Sequence, residues 1–233
     1  MKKTGLADLD DDLGVERVSL AEIAAERLRE LILVGRLPPG QTLSERELSE
    51  RLRISRTPLR EAIRKLAAER LIDVLPNRRP QVADPSPDYI DDLFDVQAVL
   101  ESLAGRLFVE RASAEQLAEV TAIQTRLGQI ADSGDPLEFF RTDMQFHSAI
   151  VSGAGNSALA DTHRQYNAAL FRARFNSSRQ TRWRDVVMAE HKEILEALCA
   201  RDAERSAAAL TWHLLKAKAN QEILRRETEQ PAP

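Results

Sequence analysis

Four residues in the second half of this 233-residue chain have side chains that could act on one ion together: Asp143, His147, His191 and His213. Asp143 and His147 are four positions apart, so on a helix they share one face. That face also carries Phe140, Ile150 and Val151, which turns it inward. His191 lies in an apolar stripe with Ile194, Leu195 and Leu198, and His213 stands near Leu210 and Ala217. Three imidazoles and a carboxylate aimed into an apolar interior are costly without partners. One divalent transition metal would satisfy all four, and a nitrogen and oxygen donor set suits zinc first, with nickel, manganese or iron as further candidates. Taken singly, each histidine reads as a hydrogen-bonded core residue, and spacing alone leaves both readings open. The fourth histidine, His163, falls outside the pattern and reads as structural or pocket-lining.

The elements that must position these residues are helical. Positions 89–111 carry Ile90, Leu93, Val96, Leu100, Leu103, Ala104 and Leu107 at helical spacing. Ser113 and Gln116 cap a second helix running to about Asp132. Asp135-Pro136 opens a third that ends before Gly153-Ala154-Gly155, and Asn156 caps a fourth that reaches about Phe175. The polar run 176–180 reads as a loop, and two more helices follow over 184–200 and from Ala203 to about Arg226. Six helices with no strand pattern predict an all-α bundle over 89–228.

Ahead of the bundle the pattern changes. Ser19 with Glu22, and Ser44 with Glu47, are capping boxes. The first opens a helix whose Ile23, Leu28, Leu31 and Ile32 pack inward; the second opens a short helix over 45–52. After a tight Arg53-Ile54 connection, Ser55 or Thr57 caps another helix, with Pro58 tolerated in its first turn. Leu59, Ile63, Leu66 and Ala67 give it a buried stripe, leaving Arg56, Thr57, Arg60 and Arg64 free for a partner. Two short helices, the second with a basic N-terminal end, form a helix-turn-helix suited to the DNA major groove. Residues 72–75 and 81–83 flank Pro76-Asn77-Arg78-Arg79-Pro80, a two-stranded wing with a basic tip at Arg78 and Arg79. The alternative, a helical hairpin with solvated arginines, leaves the agreement of caps, turn and wing unexplained.

Charge follows the same division. Over 18–83 there are 13 Lys/Arg against 9 Asp/Glu, a net of +4, while the remainder has 20 against 28, a net of −8. A basic module joined to an acidic one is the asymmetry expected when one part meets nucleic acid. Residues 1–17 are polar and acidic and read as a disordered tail, and Asp84-Pro85-Ser86-Pro87 marks a linker over 84–88. The single cysteine, Cys199, permits no intrachain disulfide and reads as a small buried hydrophobe beside Leu195 and Leu198. No apolar run has the length of a membrane span and no signal-peptide pattern opens the chain, so the expected location is cytoplasmic.

The stretch LSERELSERLRISRTPLREAIRKLAAERLI resembles the DNA-binding domain of the GntR family of bacterial repressors, over about Val18 to Ala83. The resemblance implies that Arg46, Arg56 and Arg60 contact DNA and that Ser55 and Thr57 bind phosphate. It also shows two departures: the family usually has Gly where Arg70 and Arg79 stand, and a Gly there allows a tight turn. The segment from Tyr89 to about Arg225, with DMQFH, EHKEILEAL and WHL, resembles the FCD ligand-binding domain of FadR-type regulators in their shorter, VanR-like branch. By that resemblance Asp143, His147, His191 and His213 match the family's four metal ligands. Arg172 and Arg174 on the fourth bundle helix become candidates to clamp an anionic effector. Gln97 stands where many members carry an effector-contacting Arg, and Asn156 matches a common position that capping alone explains.

The expected function is therefore a metal-dependent, ligand-responsive transcriptional regulator, acting as a repressor. It would bind a palindromic operator as a homodimer and sense a small carboxylate. A DNA-binding protein with a purely structural metal, and a metal-dependent hydrolase fused to a DNA-binding module, are the alternatives. No acidic residue is placed by the sequence as a general base, although Glu190 precedes His191, so no enzyme is expected.

Overall fold

A computed structural model describes residues 19–131 and 135–229. The acidic segment 1–17 and the expected end of the second bundle helix at Asp132 lie outside them. Helix α1, Leu20–Leu33, starts at Ser19, whose hydroxyl accepts the Glu22 amide. Helix α2, Glu45–Leu52, starts at Ser44, whose hydroxyl accepts the Glu47 amide. Arg53 then turns the chain with a left-handed φ of 54°, and the Ser49 hydroxyl donates to the Ile54 carbonyl. Helix α3, Arg56–Ala68, has Ser55 at its N-cap, and Thr57 lies inside its first turn instead of at the cap.

The wing is an antiparallel pair, β1 (Ile72–Asp73) and β2 (Gln81–Val82), with Ile72 opposite Val82 and Asp73 opposite Gln81. Thr42 bridges to Gln81 on the other side. The pairing is shorter than the hydrophobic run suggested, because Val74 and Leu75 point into solvent. Its turn takes positive φ at Asn77, 58°, so Arg79 has no need to be Gly; Arg70, by contrast, does take a φ of 57°. Leu28, Ile32, Leu43, Leu59, Ile63, Leu66, Ile72 and Val82 close the core of this domain. Ile23, expected inside, is exposed, and Ala24 and Ala25 take the buried side of α1.

The second domain comprises α4 (Pro87–Arg111), α5 (Ala114–Ile130), α6 (Pro136–Gly153), α7 (Ser157–Ser178), α8 (Arg184–Cys199) and α9 (Ala203–Glu229), with a 3₁₀ turn at Thr181–Trp183. Ser86 caps α4 and Pro87 begins it, so only the first linker proline breaks the chain. Ser113 and Gln116 cap α5 as expected and bond reciprocally in a full capping box, whereas at Ser19 and Ser44 only the serine half of the expected box forms. Helix α7 continues through Asn176–Ser178, where a loop was expected. Helices α4 and α9 pack closely: a Cβ on Gly105 would stand 2.6 Å from Leu210 Cδ1. The inward face of α4 is rotated from the expected stripe, for Val96 and Leu103 are exposed while Gln97 and Glu101 are buried with Phe94, Ala98 and Phe108. Cys199 is exposed at the end of α8, which corrects its expected burial.

The two domains touch directly. Leu33 of α1 packs with Phe140, Met144 and Phe175 of the bundle. Arg141 of α6 donates to Glu26 and Glu30 of α1, each at 2.8 Å.

Candidate metal centre and DNA-reading surface

Helix α6 supplies Asp143 and His147, α8 supplies His191 and α9 supplies His213, and all four are buried. One ligating atom from each lies within 4.8 Å of the others. His191 Nε2 is 3.3 Å and His147 Nε2 is 4.0 Å from the same oxygen, Asp143 Oδ1. Atoms around a metal with bonds of about 2.1 Å lie at most about 4.2 Å apart, so small side-chain shifts would draw this set together.

The other nitrogen of each ring fixes which atom faces inward. His147 Nδ1 is 2.6 Å from Glu101 Oε2, His213 Nδ1 is 2.8 Å from Glu190 Oε2, and His191 Nδ1 is 3.2 Å from Gln124 Oε1. A carboxylate or amide oxygen accepts, so each Nδ1 must donate and each Nε2 keeps its lone pair. The centre is then three lone pairs and a carboxylate facing one another. His147 Nε2 and His191 Nε2 are buried without a hydrogen-bond partner. Buried acceptors that can only repel each other want a cation between them, and on this ground the four residues fit a metal.

Electrostatics agree. Burial pushes the His147 imidazole below its ordinary range, with Glu101 offsetting part of the shift. Burial, aided by His213 and His147, pushes His191 down much further. Both rings are therefore neutral, the form that binds metal. Burial opposes ionisation of Glu101, yet His147 and His163 outweigh it and hold the carboxyl well below the usual range. His163 Nε2 lies 3.1 Å from Glu101 Oε1, so it supports the centre from behind.

A cavity of about 50 Å³ opens beside the centre, bordered by Asp143, His213, Glu190 and Arg174. Arg174 is buried, with Nη1 donating to Asn167 Oδ1 at 3.0 Å and Nη2 standing 3.7 Å from Asp143 Oδ2. Arg172, expected beside it, instead borders a different cavity at the domain junction. Gln97 is buried in α4 with both amide atoms unpartnered and does not border the cavity beside the centre. Asn156 caps α7 by accepting the Leu159 amide.

Arg46, Ser55, Arg56, Thr57, Arg60, Arg78 and Arg79 are all exposed. Arg60 pairs with Glu45 at 2.9 Å and Arg46 with Glu50 at 3.3 Å. Three residues of the centre were not assigned from the sequence. Glu190 is marked in the sequence only by preceding His191, and Glu101 and Gln124 by no local pattern. Glu101's signal was a carboxylate among the inward positions of α4, legible only once the helix is rotated so that Phe94 and Ala98 face in.

The FCD domain model matches residues 92–216, and the model for bacterial regulatory proteins of the gntR family matches residues 20–82. The chain belongs to the GntR family, with an FCD domain as its second half. The regulator is 30% identical over 197 residues to the HTH-type transcriptional repressor GlaR of Escherichia coli strain K12, covering 81% of this chain and 89% of that protein. It is 28% identical over 194 residues to a probable D-xylose utilization operon transcriptional repressor of Paenarthrobacter nicotinovorans, covering 82% and 85%. The solved structure of E. coli McbR/YncC superposes with a TM-score of 0.77 at 24% identity, covering 90% of this chain and all of that one, which shows a shared fold. The regulator is thus a DNA-binding transcriptional regulator and not an enzyme. Among the described residues no helix is long and apolar enough to cross a membrane.

Proposed function

We propose that the regulator is a metal-dependent repressor that senses a small carboxylate. Asp143, His147, His191 and His213 would hold one divalent metal, zinc first among the candidates, which supplies positive charge and open coordination positions. The observation that carries this reading is the set of three inward-facing Nε2 atoms, each fixed by a partner on the opposite nitrogen. Arg174 beside Asp143 supports an anionic effector, since a buried guanidinium can receive a second carboxylate oxygen. A cavity of about 50 Å³ favours a short acid. GlaR and the D-xylose operon protein are named as repressors, which supports repression here.

On DNA, Arg56 and Arg60 at the start of α3 would read bases, with Arg46, Ser55, Thr57, Arg78 and Arg79 on the backbone. A homodimer on a palindrome is supported by an outward apolar stripe on packed helices, Val96, Val99 and Leu103 of α4 with Trp212 and Leu215 of α9.

Operator binding, titrated with short carboxylic acids with and without a chelator, tests this reading. Metal-loaded protein should release operator on addition of one acid. Chelated protein should keep much of its operator affinity and lose the response. A response that survives complete metal removal would overturn the proposal.

A further inference from the structure

A second cavity, about 280 Å³, lies where the DNA-reading domain, the linker and the bundle meet. Ile32 and Leu71 border it from the first domain, Pro85 from the linker and Ile90 from α4. Three arginines also border it, and they are not equivalent. Arg225 is taken up by Asp91, 2.8 Å from its Nη2. Arg70 is exposed, donates to the Tyr89 hydroxyl at 2.8 Å and stands 5.9 Å over the Tyr166 ring, and no carboxylate among the described residues pairs with it. Arg172 is half-buried and makes no hydrogen bond or ion pair with the described residues. Burial pushes its guanidinium below the ordinary value, and Asp84 on the linker offsets only part of that.

A half-buried guanidinium without a hydrogen-bond partner keeps donors free for a ligand. Arg70 adds a second oddity, for it holds a backbone φ of 57° that glycine would adopt without strain. Strain of this kind persists where the surroundings or a function require it. Two guanidiniums with no ion-pair partner among the described residues border this cavity together with Asp84 and the apolar Ile32, Leu71 and Ile90, a lining that matches an anion with an apolar body.

We propose that this hinge cavity binds a small organic carboxylate, its anionic end between Arg70 and Arg172 and its apolar body against Ile32, Leu71 and Ile90. The site is separate from the metal centre and does not depend on it. Because the cavity has walls from both domains, an occupant binds one arrangement of them better than any other. It therefore shifts the population toward that arrangement.

The test is calorimetric titration of benzoate, and in parallel inorganic phosphate, into the full-length metal-loaded protein. Benzoate should bind the wild type, and binding should weaken about tenfold or more in Arg172→Gln and in Arg70→Gly. Glycine suits the backbone at position 70, so misfolding would not explain that loss. His213→Ala, at the metal centre, should retain hinge binding of benzoate. Absence of benzoate binding, or binding indifferent to both arginine variants, would overturn the proposal. So would benzoate binding lost in His213→Ala but kept in Arg172→Gln, which would place the ligand at the metal centre. Saturable phosphate binding in place of benzoate would overturn the carboxylate assignment.

Discussion

The orientation of each imidazole around Asp143 is set by an atom on the far side of its ring. Glu101 is the most connected of these anchors, accepting from His147 on one oxygen and from His163 on the other. In Glu101→Gln the side chain keeps its shape but one of its two acceptors becomes a donor, which no longer suits one histidine. Metal affinity, measured by competition with a chelator, should drop about 10–100-fold. His163→Ala should retain its metal, because His163 reaches the centre only through Glu101. Equal metal loss in His163→Ala and His213→Ala would contradict that division. The metal-free protein should also lose stability in acid. His147 and His191 have folded-state values below the ordinary 6.5, so the unfolded chain binds protons more readily than the folded one. Their contribution is complete well above 6.5 and declines as pH falls through it; Glu101, lowered from 4.5, adds a further loss below that. The thermal midpoint of chelated protein should be flat from about pH 8 to about pH 7 and then fall. A midpoint that rises toward acid would contradict the neutral, buried rings.

Two turns show how an element ending can carry opposite consequences. Arg70 and Arg201 both hold a left-handed backbone, with φ of 57° and 54°. The Arg201 guanidinium donates to the Val109 carbonyl at 3.1 Å and the Ala112 carbonyl at 3.0 Å, completing the C-terminal end of α4. Arg70→Gly should therefore raise stability by up to about 1 kcal/mol through relief of strain. Arg201→Gly should lower it by about 1 kcal/mol, since the hydrogen bonds lost outweigh the strain relieved. Denaturant midpoints of the two variants, moving in opposite directions from the wild type, check this. Capping residues and helical periodicity mark the helix starts, as Ser19, Ser44, Ser113 and Asn156 show. The four candidate ligands were legible for a similar reason, since i, i+4 spacing and an apolar face are local properties. What was not legible was long-range. The rotation of α4 depends on packing against α9 and on burying Glu101 beside His147, partners 46 positions apart. The separation of Arg172 from Arg174 follows from α7 facing the metal cavity on one side and the domain junction on the other.

At the scale of the whole molecule, the proposed dimer and the contact between domains are the two routes open to a signal. Val99, 69% exposed, sits in the middle of the apolar stripe on α4. If the proposed homodimer forms through this face, Val99→Asp should give a monomer by sedimentation, weaken binding to an intact operator by about tenfold or more, and spare a half-site duplex. A dimeric Val99→Asp would remove that face from the interface. Arg141 stands two positions before Asp143 and grips Glu26 and Glu30 of α1, so the helix that supplies two candidate ligands also holds the first helix of the DNA-reading domain. Under the proposed sensing, such a contact would transmit in both directions. Whatever factor an acid imposes on operator affinity, the operator must impose on affinity for the acid. DNA-bound and free molecules would then respond to the same metabolite at different thresholds. Titrating the acid with and without operator should show two midpoints, and Arg141→Ala should bring them together. The half-saturating concentration of the acid would belong to the protein–DNA complex, so the operator would help set the level at which its own gene is released.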